Sequence, residues 1–158
     1  MFIARQGPIN DILGYPAQIQ QFVARSANAV VALQHVIAFP EGCCLVVHVV
    51  ARRDLLDESA WNSLRDPVGR SVHVAANAND LQFSVRRPDA KLLSEISRES
   101  SSDDSMYESD RRLWLQPLPS PGPFVFTIEW TQMGISAAVT LDGKAIVSAA
   151  RQAQPYWP

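Results

Sequence analysis

Residues 113–130, LWLQPLPSPGPFVFTIEW, constrain this chain more than any other stretch, because two apolar runs flank a turn holding Pro117, Pro119, Pro121, Gly122 and Pro123. Each proline ring fixes φ and removes a backbone donor, so the two runs read as separate strands rather than one ladder. Phe124, Phe126, Ile128 and Trp130 alternate with Val125, Thr127 and Glu129. A period of two puts the first set on one face of an extended strand. Burying each contributes about 1.5–3 kcal/mol, a sum comparable to the net stability of a whole domain, about 5–15 kcal/mol. Strand 124–130 is therefore expected at the centre of the core.

The chain has 158 residues with 47 % apolar content, enough for one sizeable core without metal or disulfide support. A single domain over residues 1–158 is expected. The formal charge of −2 gives no overall attraction to phosphate, so neither nucleic acid nor an anionic membrane surface is implied as a partner. No run approaches the ~18 apolar residues that would span a bilayer, and MFIARQGPIN lacks the features of a signal peptide. The two cysteines, Cys43 and Cys44, are adjacent, and neighbouring strand side chains point to opposite faces, so no structural disulfide is expected between them. The expected compartment is the cytoplasm.

Along the chain, residues 1–17 mix glycine, proline and isolated apolar residues and read as an irregular arm with at most one helical turn near Ile9 to Leu13, with Phe2 and Ile3 docked on the body. Residues 19–25 and 29–39 read as strands. Phe39-Pro40-Glu41-Gly42 then predicts a three-residue loop with a glycine bulge that pairs Phe39 with Cys43. That register places Val31, Leu33, Ile37, Phe39, Cys43, Leu45, Val47 and Val49 on a core face, and Gln34, Cys44, His48 and Arg52 on the other. Leu56, Ala60, Trp61 and Leu64 fall at helical spacing, capped by Asp54 or Asp57 and stopped before Pro67. Val72 to Ala75 reads as a weak edge strand, 81–87 as a strand, and Pro88-Asp89-Ala90 as a turn into 91–96. Residues 97–112, SRESSSDDSMYESDRR, are nearly all polar and predict a mobile loop, since little apolar surface offsets the ordering entropy. A last strand carries Ala137, Val139 and Leu141, Asp142 caps a helix with Ile146, Ala149 and Ala150 on one stripe, and Tyr156-Trp157-Pro158 follows as an aromatic tail. The sum is a mostly β chain: an antiparallel β-sandwich of about eight strands with one or two short peripheral helices.

The PLP-x-PG turn before an aromatic strand ending in Glu129-Trp130, the Ala38-Phe39-Pro40-Glu41-Gly42 hairpin, the Asp66-Pro67 pair and the Leu81-Gln82-Phe83 strand resemble an uncharacterised actinobacterial family of small β-rich proteins. That resemblance implies a single β-rich domain and no assigned activity. It transfers no site residue, and the Ser/Asp-rich stretch 97–110 stands where relatives carry a glycine-rich loop.

The chemistry-bearing residues are sparse. No G-x-x-x-x-G-K, G-x-G-x-x-G, G-x-S-x-G or H-E-x-x-H occurs, so no catalytic residue and no cofactor is expected. His35, His48 and His73 are the only histidines. In the expected register His35 and His48 fall on opposite faces, and no metal site is expected. Cys44 and His48 lie about 13 Å apart along a strand, too far to exchange a proton. Asp103, Asp104, Glu108 and Asp110 lack the spacing of a calcium loop. The residues assigned to binding are Trp114, Pro119 and Pro121: an exposed tryptophan beside a stiff proline turn anchors a protein partner with little entropy loss. The expected function is a non-enzymatic protein–protein interaction module. The alternative is a small-molecule-binding protein or hydrolytic enzyme with a pocket between the sheets.

Overall fold

A computed structural model describes residues 7–8, 11–54, 56–65, 81–86 and 92–158. The docking of Phe2 and Ile3, the Asp66-Pro67 pair, the strand 72–75 with His73 and the turn 88–90 lie outside these residues. Among the described residues the chain runs through β1 (Ile12–Leu13), β2 (Tyr15–Ala17), β3 (Gln21–Arg25), β4 (Ala29–Phe39), β5 (Gly42–Arg52) and α1 (Glu58–Arg65). It continues through β6 (Leu81–Arg86), β7 (Leu92–Ser102), β8 (Met106–Gln116), β9 (Pro123–Trp130), β10 (Ile135–Asp142), α2 (Gly143–Ala150) and β11 (Gln154–Pro155).

Among the described residues every pairing is antiparallel. In the larger sheet β2 and β3 both pair with β4, followed by β5, β8 and β7; the smaller has the order β10-β9-β6, and β1 with β11 makes a separate two-stranded ribbon. β10 lies beside β3 and β6 beside β7, so the two sheets meet along both edges. The chain is thus the expected mostly β, antiparallel sandwich, built from more strands than the eight anticipated.

The core lies between the sheets. Phe124, Phe126, Ile128 and Trp130 are all buried there, against Leu33, Leu45 and Val47 of the larger sheet. Both helices start where a carboxylate satisfies an orphan backbone donor. Asp57 Oδ1 accepts from the Ala60 amide at 2.7 Å, and Asp142 Oδ1 accepts from the Lys144 amide at 2.9 Å. α1 buries Trp61, and α2 buries Ile146, Ala149 and Ala150.

Three expectations are corrected. Residues 97–112 are not a loop: they form most of the β7–β8 hairpin, with only Asp103 to Ser105 turning. β8 is hydrogen-bonded on both edges, to β5 and to β7, so its backbone is satisfied whatever its side chains are. Its inward side chains Tyr107, Ser109 and Arg111 are buried. The turn is fixed by Asp103 Oδ1, which accepts from the Ser105 and Met106 amides, each at 2.7 Å.

The second correction concerns the β4–β5 hairpin. Phe39 pairs with Gly42, not Cys43, across the two residues Pro40 and Glu41. Gly42 is glycine for room: a Cβ there would sit 2.5 Å from the Leu115 carbonyl oxygen and 2.7 Å from the Trp114 ring. A bulge at Gln34, between Leu33 and His35, shifts the register by one further residue, to Leu33 opposite Val47, and leaves Val31 and Leu33 on the expected inward face with Val47 and Val49. The extra residue inverts the rest of β4, so Val36 and Ala38 join the core while Ile37 and Phe39 turn to the outer face. β5 is as expected, with Cys43, Leu45, Val47 and Val49 inward. His35 therefore shares the outer face with His48, opposite to the expectation.

The third correction is the arm. Its described part is not irregular: β1 pairs with β11, β2 pairs with Ala38, Ile37 and Val36 of β4, and no helical turn forms at Leu13.

Candidate functional site

Trp114 does face away from Leu113 and Leu115, but it is not at the surface. It is 0 % exposed, inside a second apolar cluster with Phe39, Cys44 and Val46 on the outer face of the larger sheet. Its ring meets Phe39 edge-on, with centroids 5.8 Å apart. Its indole N–H donates to Gln116 Oε1 at 2.8 Å. The arm is what covers it. Ile12 of β1 packs on the cluster, and Gly14 approaches so closely that a Cβ would lie 2.6 Å from the Phe39 ring and 2.7 Å from Ile37. Pro119 is also buried, and Pro121 alone of the expected trio is exposed. The proline turn does not protrude freely, since the Gly143 amide at the start of α2 donates to the Gly122 carbonyl at 2.8 Å. The contact surface expected at Trp114, Pro119 and Pro121 is therefore not assembled.

The exposed aromatic side chains are elsewhere. Trp157 is 75 % exposed, Tyr156 54 %, Leu13 55 % and Tyr15 46 %, while Phe22 of β3, also 55 % exposed, lies under the Arg25 guanidinium. Two of these meet across β1 and β11: Leu13 stands opposite Gln154, and the Tyr156 amide donates to the Asp11 carbonyl at 2.8 Å. Leu13 and Tyr156 are thus diagonal neighbours on one side of the ribbon. Ile12, one residue away, points to the other side and covers Trp114. The signal in the sequence was the aromatic pair Tyr156-Trp157 directly after Pro155.

The other half of the outer face is polar. The His48 ring nitrogen Nδ1 lies 2.7 Å from Asp110 Oδ1, and with Glu99, Ser101 and Glu108 this pair lines a groove of about 240 Å³. Among the described residues no three His, Cys, Asp or Glu side chains are grouped to hold a metal ion. Cys44 lies on the same face but under the aromatic cluster, and burial pushes its thiol above the usual range despite the opposing effect of the Arg112 guanidinium. Neither cysteine is in a disulfide.

A last polar group lies inside. Tyr107, Ser109 and Arg111 alternate on the inward face of β8, and all three are buried. Arg111 donates from Nε to Ser109 Oγ and from Nη2 to the Tyr107 hydroxyl, both at 3.3 Å. Ser100 of β7 donates to Ser109 Oγ at 3.0 Å and lies 3.4 Å from the Tyr107 hydroxyl. Burial pushes the Tyr107 hydroxyl up, but the Ser100 hydrogen bond and the Arg111 charge more than offset it and leave the group below its ordinary value. Continuing the period of two back from Leu115 through Leu113 would have marked these residues as inward.

Comparison with family profiles, with curated proteins and with solved structures gives no match for this chain.

Proposed function

We propose that this chain is a non-enzymatic cytoplasmic binding module that meets a protein partner through the β1–β11 ribbon. One observation carries the reading. Trp61, Trp114 and Trp130 are at most 1 % exposed, whereas Trp157 is 75 % exposed, and Tyr156, Leu13 and Tyr15 are exposed as well. Aromatic side chains offer large contact area at low entropy cost and dominate interface energetics when desolvated. The four side chains carry no charge, so the partner surface that fits them is a neutral apolar protein segment with polar groups for the two tyrosine hydroxyls. The larger exposed patches of monomers mark such contacts. The alternative of a ligand pocket between the sheets has less support, because Phe126, Ile128, Trp130, Leu33 and Leu45 occupy that space.

The test is affinity capture from the native host with wild-type, Leu13→Ser and Trp157→Ala baits, checked first for equal denaturation midpoints. A protein retained by the wild type and lost from both variants supports the reading. The same set of proteins on all three baits, or none on any, overturns it.

A further inference from the structure

We infer that Arg111, with Ser100, Tyr107 and Ser109, forms a binding site for a small monoanionic carboxylate at the seam where β6 meets β7. The inference is independent of the ribbon surface.

Arg111 is 5 % exposed, and its guanidinium is a permanent charge. A buried charge is retained where it is paired, because removal from water otherwise disfavours it strongly. Among the described residues no carboxylate pairs with Arg111. Its acceptors are two neutral hydroxyls, Ser109 Oγ and Tyr107 OH, and its carbon Cζ stands 5.9 Å from the Phe83 ring centroid. Of the five guanidinium donors these bonds use one on Nε and one on Nη2. Both donors of Nη1 and one of Nη2 remain, which is the end-on edge that grips a carboxylate with two parallel hydrogen bonds.

The hydroxyls are arranged to serve the same guest. Ser100, Ser109 and Tyr107 form one connected set, and rotating hydroxyls supply donors to a carboxylate where the guanidinium does not reach. The lowered Tyr107 value reflects the same environment, one that favours negative charge. Ser100 is an exposed residue that bonds both buried hydroxyls, which ties the set to the surface. Arg98, the cross-strand partner of Arg111 on β7, already holds the Glu95 carboxylate at 2.6 and 2.9 Å, so the charge Arg111 adds is matched by a singly charged carboxylate.

The experiment follows thermal unfolding and the Arg111 side-chain N–H resonances as acetate is added to the full chain. Chloride at matched ionic strength is the control, and phosphate is a parallel arm. At roughly 100 mM acetate the wild type should gain about 3 °C in Tm over chloride, with the Arg111 resonances shifting along a saturable curve. Arg111→Met should lose that gain, and Ser100→Ala, changed at an exposed position, should weaken it several-fold. Unmoved Arg111 resonances, or an equal Tm gain in Arg111→Met, overturn the site. A larger response to phosphate than to acetate overturns the carboxylate assignment. If Arg111→Met fails to fold, the wild-type resonances and Ser100→Ala decide alone.

Discussion

Two tryptophans of this chain have opposite environments. Trp114 lies beneath the arm, packed by Phe39, Cys44, Val46 and Ile12; Trp157 lies two residues past the end of β11, open to solvent. β1 has an inner and an outer side, as any strand does, with Ile12 facing Trp114 and Leu13 facing outward. The difference teaches that the neighbourhood of a residue in sequence says little about its exposure. Trp114 adjoins a proline turn and is covered by a segment about a hundred residues away in the chain, while Trp157 follows a proline that nothing covers.

The contrast breaks first at Trp114. Trp114→Ala should destabilise by about 3–5 kcal/mol, the cost of truncating a buried aromatic that leaves a cavity. Denaturant titration of the variant checks it, and a loss under about 0.5 kcal/mol, typical of a surface site, would mean that the arm does not cover this face.

Next in size is the arm itself. Gly14→Val drives side-chain atoms into Phe39 and Ile37, and overpacking of this kind costs about 1–3 kcal/mol. The loss should be accompanied by faster alkylation of Cys44, which in the wild type is both sterically covered and short of thiolate. The pH sign follows from the raised thiol value. A folded value above the unfolded one contributes stability that is full below the unfolded value and declines as the pH rises past it. The wild type should therefore weaken on the alkaline side, and alkylation in Gly14→Val should gain most there. Labelling followed by mass spectrometry of single-cysteine variants reads this directly.

How much of this was legible in the sequence depends on the interaction involved. Strand 124–130 announced its inner face because four large apolar side chains repeat at a period of two, and both helices announced their starts through aspartates: Asp142 for the second, and for the first Asp54 or Asp57, of which Asp57 makes the cap. The Gln34 bulge was hidden, since no glycine or proline marks it. Its one trace is the adjacent polar pair Gln34-His35 inside a strand otherwise apolar from Val30 to Phe39. Residues 97–112 were misjudged because composition measures side chains, whereas β8 is held by ladders on both edges, which composition does not record. Trp114 was assigned to the correct side of its strand and the wrong environment. The covering segment comes from the far end of the chain, and no periodicity reports a contact of that separation.

A smaller effect separates the polar half of the outer face from the covered half. Asp110→Asn removes the partner of His48, and because Asp110 is 54 % exposed the loss should stay below about 1 kcal/mol and shrink further in high salt. A larger loss would mean that this half is also covered. Smallest of all, Trp157→Ala should change stability by no more than about 0.5 kcal/mol, which makes it a usable probe of binding.

The most direct measurement is iodide quenching of tryptophan emission in the native wild type, Trp157→Phe and Trp114→Phe. With Trp157 open and Trp61, Trp114 and Trp130 enclosed, the quenchable fraction should vanish in Trp157→Phe and persist, somewhat enlarged, in Trp114→Phe. Loss of quenching in Trp114→Phe with retention in Trp157→Phe would contradict the placement of both tryptophans and, with it, the ribbon as a contact surface.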